Sequence, residues 1–311
     1  MCRLNLTSVF STALFLLLAL HVSTSSTLAQ SPSKPPDEQS RNAEASAAWQ
    51  AGGKAGTKGP ASIALADQAT VKLADGQFFI PQTEGARIMR ALGNTINEAS
   101  FLGLIVGTKA SDEWIVVTRF IKEGYIKDDD AKDWNAEDLL KNLKEGTNEA
   151  NKDRVARGFP ELEILGWVER PTYDSIPHQL VWSILAKSKG EPDSNEKGIN
   201  YNTYALGREG YLSLNLLTSS SRVAADKSAA WALLAGLSYN SGKRYEDFNS
   251  ATDHIAEYGL AALVGGVVAK KLGLFAVIGV FLLKFAKVIG IGALAFGAGI
   301  WKFFRRKPEG T

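Results

Sequence analysis

Cysteine is almost missing from this chain: Cys2 is the only one among 311 residues. It falls in a segment that reads as a removable leader, so the mature chain would hold no thiol. That excludes disulfides, cysteine-ligated zinc and cysteine nucleophiles. Histidine is scarce as well, with three in all. Outside the leader only His178 and His254 are left, and neither has a second histidine at ligand spacing, which removes the usual basis for a zinc site. An excess of charge of either sign is lacking too. Lys and Arg number 35 against 33 Asp and Glu, for a net charge of +2. Without a concentrated basic surface, nucleic acid is not an expected partner. No G-x-S-x-G elbow and no G-x-x-x-x-G-K-[ST] loop is present, and no internal repeat recurs at a fixed period. No cofactor is expected.

The apolar residues, 45% of the chain, crowd both ends. Arg3 precedes an apolar run over 9–20 (VFSTALFLLLAL), too short to cross a bilayer, and small residues follow up to Thr27-Leu28-Ala29. This is the pattern of a secretory signal over 1–29, with cleavage expected after Ala29. No cysteine stands at that site to carry a lipid. Residues 30–61 begin QSPSKPPDEQSRNAEASAA and continue through Gly52, Gly53, Gly56 and Gly59-Pro60. The composition predicts a disordered linker, with ordered structure starting near Ser62.

From there the sequence predicts an α+β domain over 62–254. Alternation over 62–83, broken at Asp75-Gly76, predicts a hairpin, and 84–92 a short helix. The run 114–121 (WIVVTRFI) is a strand. A helix is expected over 136–157, with Asn135 as its N-cap and Leu139, Leu140, Leu143, Thr147 and Ala150 on one face. Strands follow over 162–169, 178–187, 205–206 and 211–217, then a helix over 223–236. Short turns between consecutive strands favour an antiparallel sheet with helices packed on one face.

Beyond Ile255 the chain is apolar with lysine interruptions. Residues 285–304 have the length of a transmembrane helix, with Lys287 and Lys302 near its ends and Arg305-Arg306-Lys307 beyond it. The expected topology is a single pass through a bacterial inner membrane, with the domain periplasmic and tail 305–311 cytoplasmic. Residues 255–283 are expected to be an amphipathic or apolar helical segment. As a second span, 260–283 would carry Lys270 and Lys271 near its centre, at about 2.5–3.5 kcal/mol each.

Two clusters carry candidate chemistry. Asp128-Asp129-Asp130 is the densest acidic run, a candidate Ca²⁺ or Mg²⁺ site that lacks the glycine and ligand spacing of an EF-hand. The plainer reading is a solvated loop whose charges favour the start of the next helix. Tyr173-Asp174-Ser175 and His178 invite a hydrolase reading with His178 and Asp174 as working pair. Neighbouring loop positions do not by themselves make a triad, and the plainer reading is a turn leading into a strand. Trp114, Trp134, Trp167, Trp182 and Trp231 read as core residues before they read as a ligand groove.

Five stretches together resemble the DUF2167 family of uncharacterised membrane-anchored bacterial proteins. They are 114–132 (WIVVTRFIKEGYIKDDDAK), 139–159 (LLKNLKEGTNEANKDRVARGF), 166–183 (GWVERPTYDSIPHQLVWS), 200–211 (NYNTYALGREGY) and 242–264 (GKRYEDFNSATDHIAEYGLAALV). The resemblance runs from about residue 49 to the C-terminus. One departure is Asn202-Thr203-Tyr204-Ala205, where an arginine is expected just before Leu206-Gly207-Arg208. The resemblance implies membrane anchoring and no established activity. Sequence alone therefore points to a binding or scaffold domain of the cell envelope, whose partners are the bilayer and another envelope protein.

Overall fold

Residues 61–73 fold as one hairpin that turns at 66–68, and the turn expected at Asp75-Gly76 does not close a hairpin: it passes the chain to a strand over 77–81 that belongs to a different sheet. The computed structural model describes residues 38–265, except positions 110, 133, 157 and 194. In chain order the elements are α1 (Glu38–Ala55), β1 (Thr57–Lys58), β2 (Ala61–Leu65), β3 (Ala69–Leu73), β4 (Gln77–Pro81), α2 (Gln82–Ala91), β5 (Phe101–Gly107) and β6 (Ile115–Ile121). Then come α3 (Ala136–Ala156), β7 (Leu162–Asp174), β8 (Gln179–Ser188), β9 (Gly198–Gly207), β10 (Gly210–Ser219), α4 (Val223–Ala235), β11 (Leu237–Tyr239) and α5 (Ala261–Gly265). One eight-stranded sheet has the order β1-β4-β5-β6-β10-β9-β8-β7, and a second sheet has β11-β3-β2. Every strand pair is antiparallel. The α+β class and the antiparallel sheet follow the sequence reading.

Successive side chains of a strand point to opposite faces, so the alternation in β6 and β10 sorts the core. On one face Val116, Tyr201, Leu212, Leu214 and Leu216 pack against Ile63, Leu65 and Val71 of the small sheet and Leu233 and Leu234 of α4. The other face carries two separate apolar clusters. Ile80, Ile88, Phe101, Leu104 and Val117 meet Ala48 and Trp49 of α1. Farther along, Leu180, Trp182, Ile184 and Leu206 meet Leu139 and Leu143 of α3, together with Leu263 and Val264 of α5. Helices thus lie on both faces of the large sheet. This corrects the expected one-sided packing: β10 offers leucines on one face, and α4 covers them beside the small sheet.

Between the two clusters of the second face runs a polar seam. It consists of Arg119 on β6, Ser213 and Asn215 on β10, and Asn200 and Asn202 on β9, all buried. The seam also explains why most of β9 escapes a periodicity reading. All ten residues of β9 are buried, and those on the seam side include two asparagines, so its burial on both faces is not announced by a continuous apolar run.

The linker expected over 30–61 is corrected over its later part, because α1 covers 38–55. Ala45, Ala48 and Trp49 are buried there. Gly52, read as irregular, is a close-approach position: a Cβ there would stand 3.1 Å from both Ile80 and Ile88. Farther along, Asn135 Oδ1 accepts the backbone N–H of Glu137 at 2.8 Å and caps α3 as expected. Near the end of that helix Asn151 bonds both backbone groups of Leu162, at 2.8 and 2.9 Å, and so ties α3 to the first residue of β7.

The predicted signal 1–29, the predicted transmembrane segment 285–304, the predicted tail 305–311 and residues 266–283 of the expected helical segment lie outside the described residues; of that segment's described part 255–260 is not helical and 261–265 is α5. Among the described residues no helix is long and apolar enough to cross a membrane.

Candidate functional site

The β7–β8 hairpin turns sharply enough to place His178 at φ +52°, a left-handed conformation uncommon outside glycine and asparagine. The turn brings the imidazole back over Tyr173 near the end of β7. Tyr173 Oη donates to Asp128 Oδ2 at 2.7 Å and lies 3.0 Å from His178 Nδ1. A hydroxyl has one proton. With that proton on the carboxylate, Nδ1 must carry the hydrogen of the second bond, which fixes the tautomer of a neutral ring. Asp128 Oδ2 is 3.7 Å from the same nitrogen. Both side chains are about a quarter exposed, at 24% for His178 and 26% for Asp128.

An aromatic stack supports this trio from behind. His178 lies on Tyr245 with centroids 4.0 Å apart, Tyr245 on Tyr125 at 4.4 Å, and Tyr125 on Phe248 at 3.9 Å. Tyr245 Oη donates to the carbonyl of Ile126 at 2.8 Å. Burial pushes the Tyr173 hydroxyl well above the ordinary tyrosine value, and Asp128 adds to the shift. Burial raises Tyr245 in the same way. Both phenols therefore act as hydrogen-bond donors near neutral pH and not as nucleophiles.

The sequence candidates are partly reunited. Tyr173 and His178 converge, and the carboxylate that joins them is Asp128, from the acidic run. Asp174 turns away and accepts the backbone N–H of Ile176 at 3.1 Å, as in an Asx turn. The three consecutive aspartates diverge. Asp128 serves Tyr173. Asp129 lines a cleft of about 320 Å³ with Asp130, Lys127, Glu257 and Tyr258. Asp130 accepts the backbone N–H groups of Leu260 and Ala261 at 2.9 and 3.0 Å, capping the entry to α5. Among the described residues no three His, Cys, Asp or Glu side chains gather as metal ligands.

Sequence reasoning missed Tyr125, Tyr245 and Phe248, because their stacking depends on contacts more than a hundred residues apart. It also missed an ion pair at the rim of the sheet. Arg208 grips Asp253 in a fork, at 2.6 Å from Nε and 2.8 Å from Nη2. That guanidinium holds the Asp253 carboxyl well below the usual carboxylate range, and the Asn249 backbone N–H helps.

No curated protein matches the chain. A family model described as a protein of unknown function, DUF2167, matches residues 57–297. The match spans the whole of the sheet, the Asp128–Tyr173–His178 trio and the Arg208–Asp253 pair, and the chain belongs to the DUF2167 family.

Proposed function

We propose that this protein is a membrane-anchored component of the bacterial cell envelope, a binding or scaffold domain held outside the inner membrane by an apolar helix over 285–304. One observation carries the reading. The segment that precedes the apolar run is built into the domain. Tyr125 and Ile255 form a parallel bridge, Tyr125 N–H donates to the His254 carbonyl at 2.8 Å, and Ala256 N–H donates to the Tyr125 carbonyl at 2.9 Å. Asp130 then caps α5, and Leu260, Leu263 and Val264 are buried in the α3 cluster. A chain that is packed into the domain core up to Gly265, about twenty residues before the proposed anchor, suits a domain seated close to the bilayer. Its partners are the bilayer and another envelope protein.

The test is a pair of reporter fusions. Alkaline phosphatase, active only outside the cytoplasm, is placed after Gly59 or after Thr311. Activity is expected from the first fusion alone. Activity from the fusion after Thr311 defeats the single-pass reading. An envelope hydrolase using His178 and Asp174 is the rival reading. It is weakened by the bond of Asp174 to its own turn, and Asp128 would have to take that role. Labelling by an activity-based hydrolase probe that disappears in His178→Ala would revive it.

A further inference from the structure

Arg119 lies in the middle of β6 at 4% exposure. Among the described residues its guanidinium has no hydrogen bond and no ion pair. Burial lowers its pKa to about 10, and the ionisable groups that act on it are the phenols of Tyr204 and Tyr211. It is therefore charged at neutral pH. Removing such an ion from water costs several kcal/mol, and buried arginines are ordinarily paired for that reason. Arg208, nearer the surface, has its carboxylate; Arg119 has none.

The register shows what surrounds it. Ser213 on β10 stands directly opposite Arg119, and Tyr204 on β9 directly opposite Ser213. Two residues along, Asn215 faces Asn202 across the same pair of strands. Strand alternation puts all of them on one face, with directly opposed Cβ atoms about 5 Å apart. The seam thus offers a guanidinium, a hydroxyl, amides and a phenol, and no carboxylate. The Oδ1 atoms of Asn200 and Asn215 are buried without a partner. The remainder of the chain offers little counter-charge. Outside the described side chains the carboxylates are Asp37, Glu38, Asp133, Glu309 and the C-terminus, against eight Lys and Arg beyond Gly265 alone.

We propose that this seam is a buried oxyanion site, in which Arg119, Ser213, Asn202 and Asn215 hold a phosphate group. Its oxygens accept from the guanidinium, the amides and the serine, and its P–OH donates to the orphaned oxygen of Asn215. Monohydrogen and dihydrogen phosphate, or the phosphomonoester headgroup of a lipid, all bring that combination. A guanidinium with amide donors beside it is the usual chemistry of phosphate recognition.

The experiment uses the full chain in zwitterionic detergent, with thermal unfolding followed by circular dichroism. One arm adds inorganic phosphate in the low millimolar range, balanced against chloride so that general salt effects cancel. The other adds phosphatidic acid to the micelles without free phosphate. A ligand that binds only the folded state raises the unfolding midpoint progressively with its concentration. The wild type should respond to one arm or both, and the responding arm identifies the source of the phosphate. Arg119→Met should lose the response. Ser213→Asp places a carboxylate beside the guanidinium, so it should raise the midpoint without ligand and also abolish the response. If Arg119→Met does not fold, Ser213→Asp decides. A wild type that responds to neither arm overturns the site, as does a Ser213→Asp variant that responds as the wild type does.

Discussion

The two faces of the eight-stranded sheet are built to different ends. On one, β10 lays down Leu212, Leu214 and Leu216, and the small sheet with α4 closes over them as a continuous apolar layer. On the other, the apolar surface is split in two, and the gap holds a buried arginine and asparagines whose hydrogen bonding is incomplete. The first face has the character of a stability element. The second carries desolvated polar groups that destabilise the fold unless something else satisfies them. The comparison teaches where to look for function: orphaned polar atoms occur on both faces, Ser183 Oγ on the first among them, but the sheet's buried arginine lies on the second, which also carries Trp182, Tyr204 and the α3 cluster.

The contrast can be broken by substitution. Leu214 is fully buried in the continuous layer, so Leu214→Ala should destabilise by about 2–5 kcal/mol through lost transfer energy and a cavity. Urea unfolding measures it. A loss well under about 1 kcal/mol would mean that this layer is loosely packed and the distinction between the faces is false.

A second test concerns the arginine that does have its carboxylate. The Asp253 carboxyl is depressed by Arg208, so its folded pKa lies below its unfolded value of about 3.9. The contribution to stability is fully present above that unfolded value and disappears as pH falls through the folded one. Urea midpoints of wild type and Asp253→Asn should therefore differ most near neutral pH and converge in acid below about pH 4. Parallel curves would detach this pair from stability. Arg119, which has no such acid, should give the fold no matching acid-sensitive term.

The smallest effect is expected on the seam itself. Asn215→Leu removes an orphaned acceptor and keeps similar volume, so without ligand the protein should be unchanged or more stable by about 1 kcal/mol. A clear destabilisation would show that the seam is already satisfied within the fold.

Much of this architecture is legible in the sequence, for identifiable reasons. Strands with one regular apolar face, such as β3 and β10, announce themselves by alternation, and α3 does so by its leucine stripe and Asn135 cap. The sequence fails where both faces of a strand are covered. β9 reads as polar and tyrosine-rich, yet every residue of it is buried. It fails again at α1, where residues that suggest a linker prove to be packed: Gly52 is a close-approach position against Ile80 and Ile88, and Ala48 is buried in the same cluster. The candidate trio was half visible. Tyr173 and His178 are near in sequence, but Asp128 reaches them only through the docking of the loop before α3. Arg119 was in plain view inside WIVVTRFI, where a charge between β-branched and aromatic residues departs from the strand pattern. Its isolation emerges only once the cross-strand neighbours are known.

The carboxylate of Asp130 has one last implication. It holds two successive amides at the point where the chain leaves the α3 cluster, and Gly259 is needed there because a Cβ would collide with that carboxylate. Among the described residues the start of α5 is therefore tied to the loop that carries Asp128, and through the Tyr173 hydroxyl that same loop is joined to the imidazole at the hairpin.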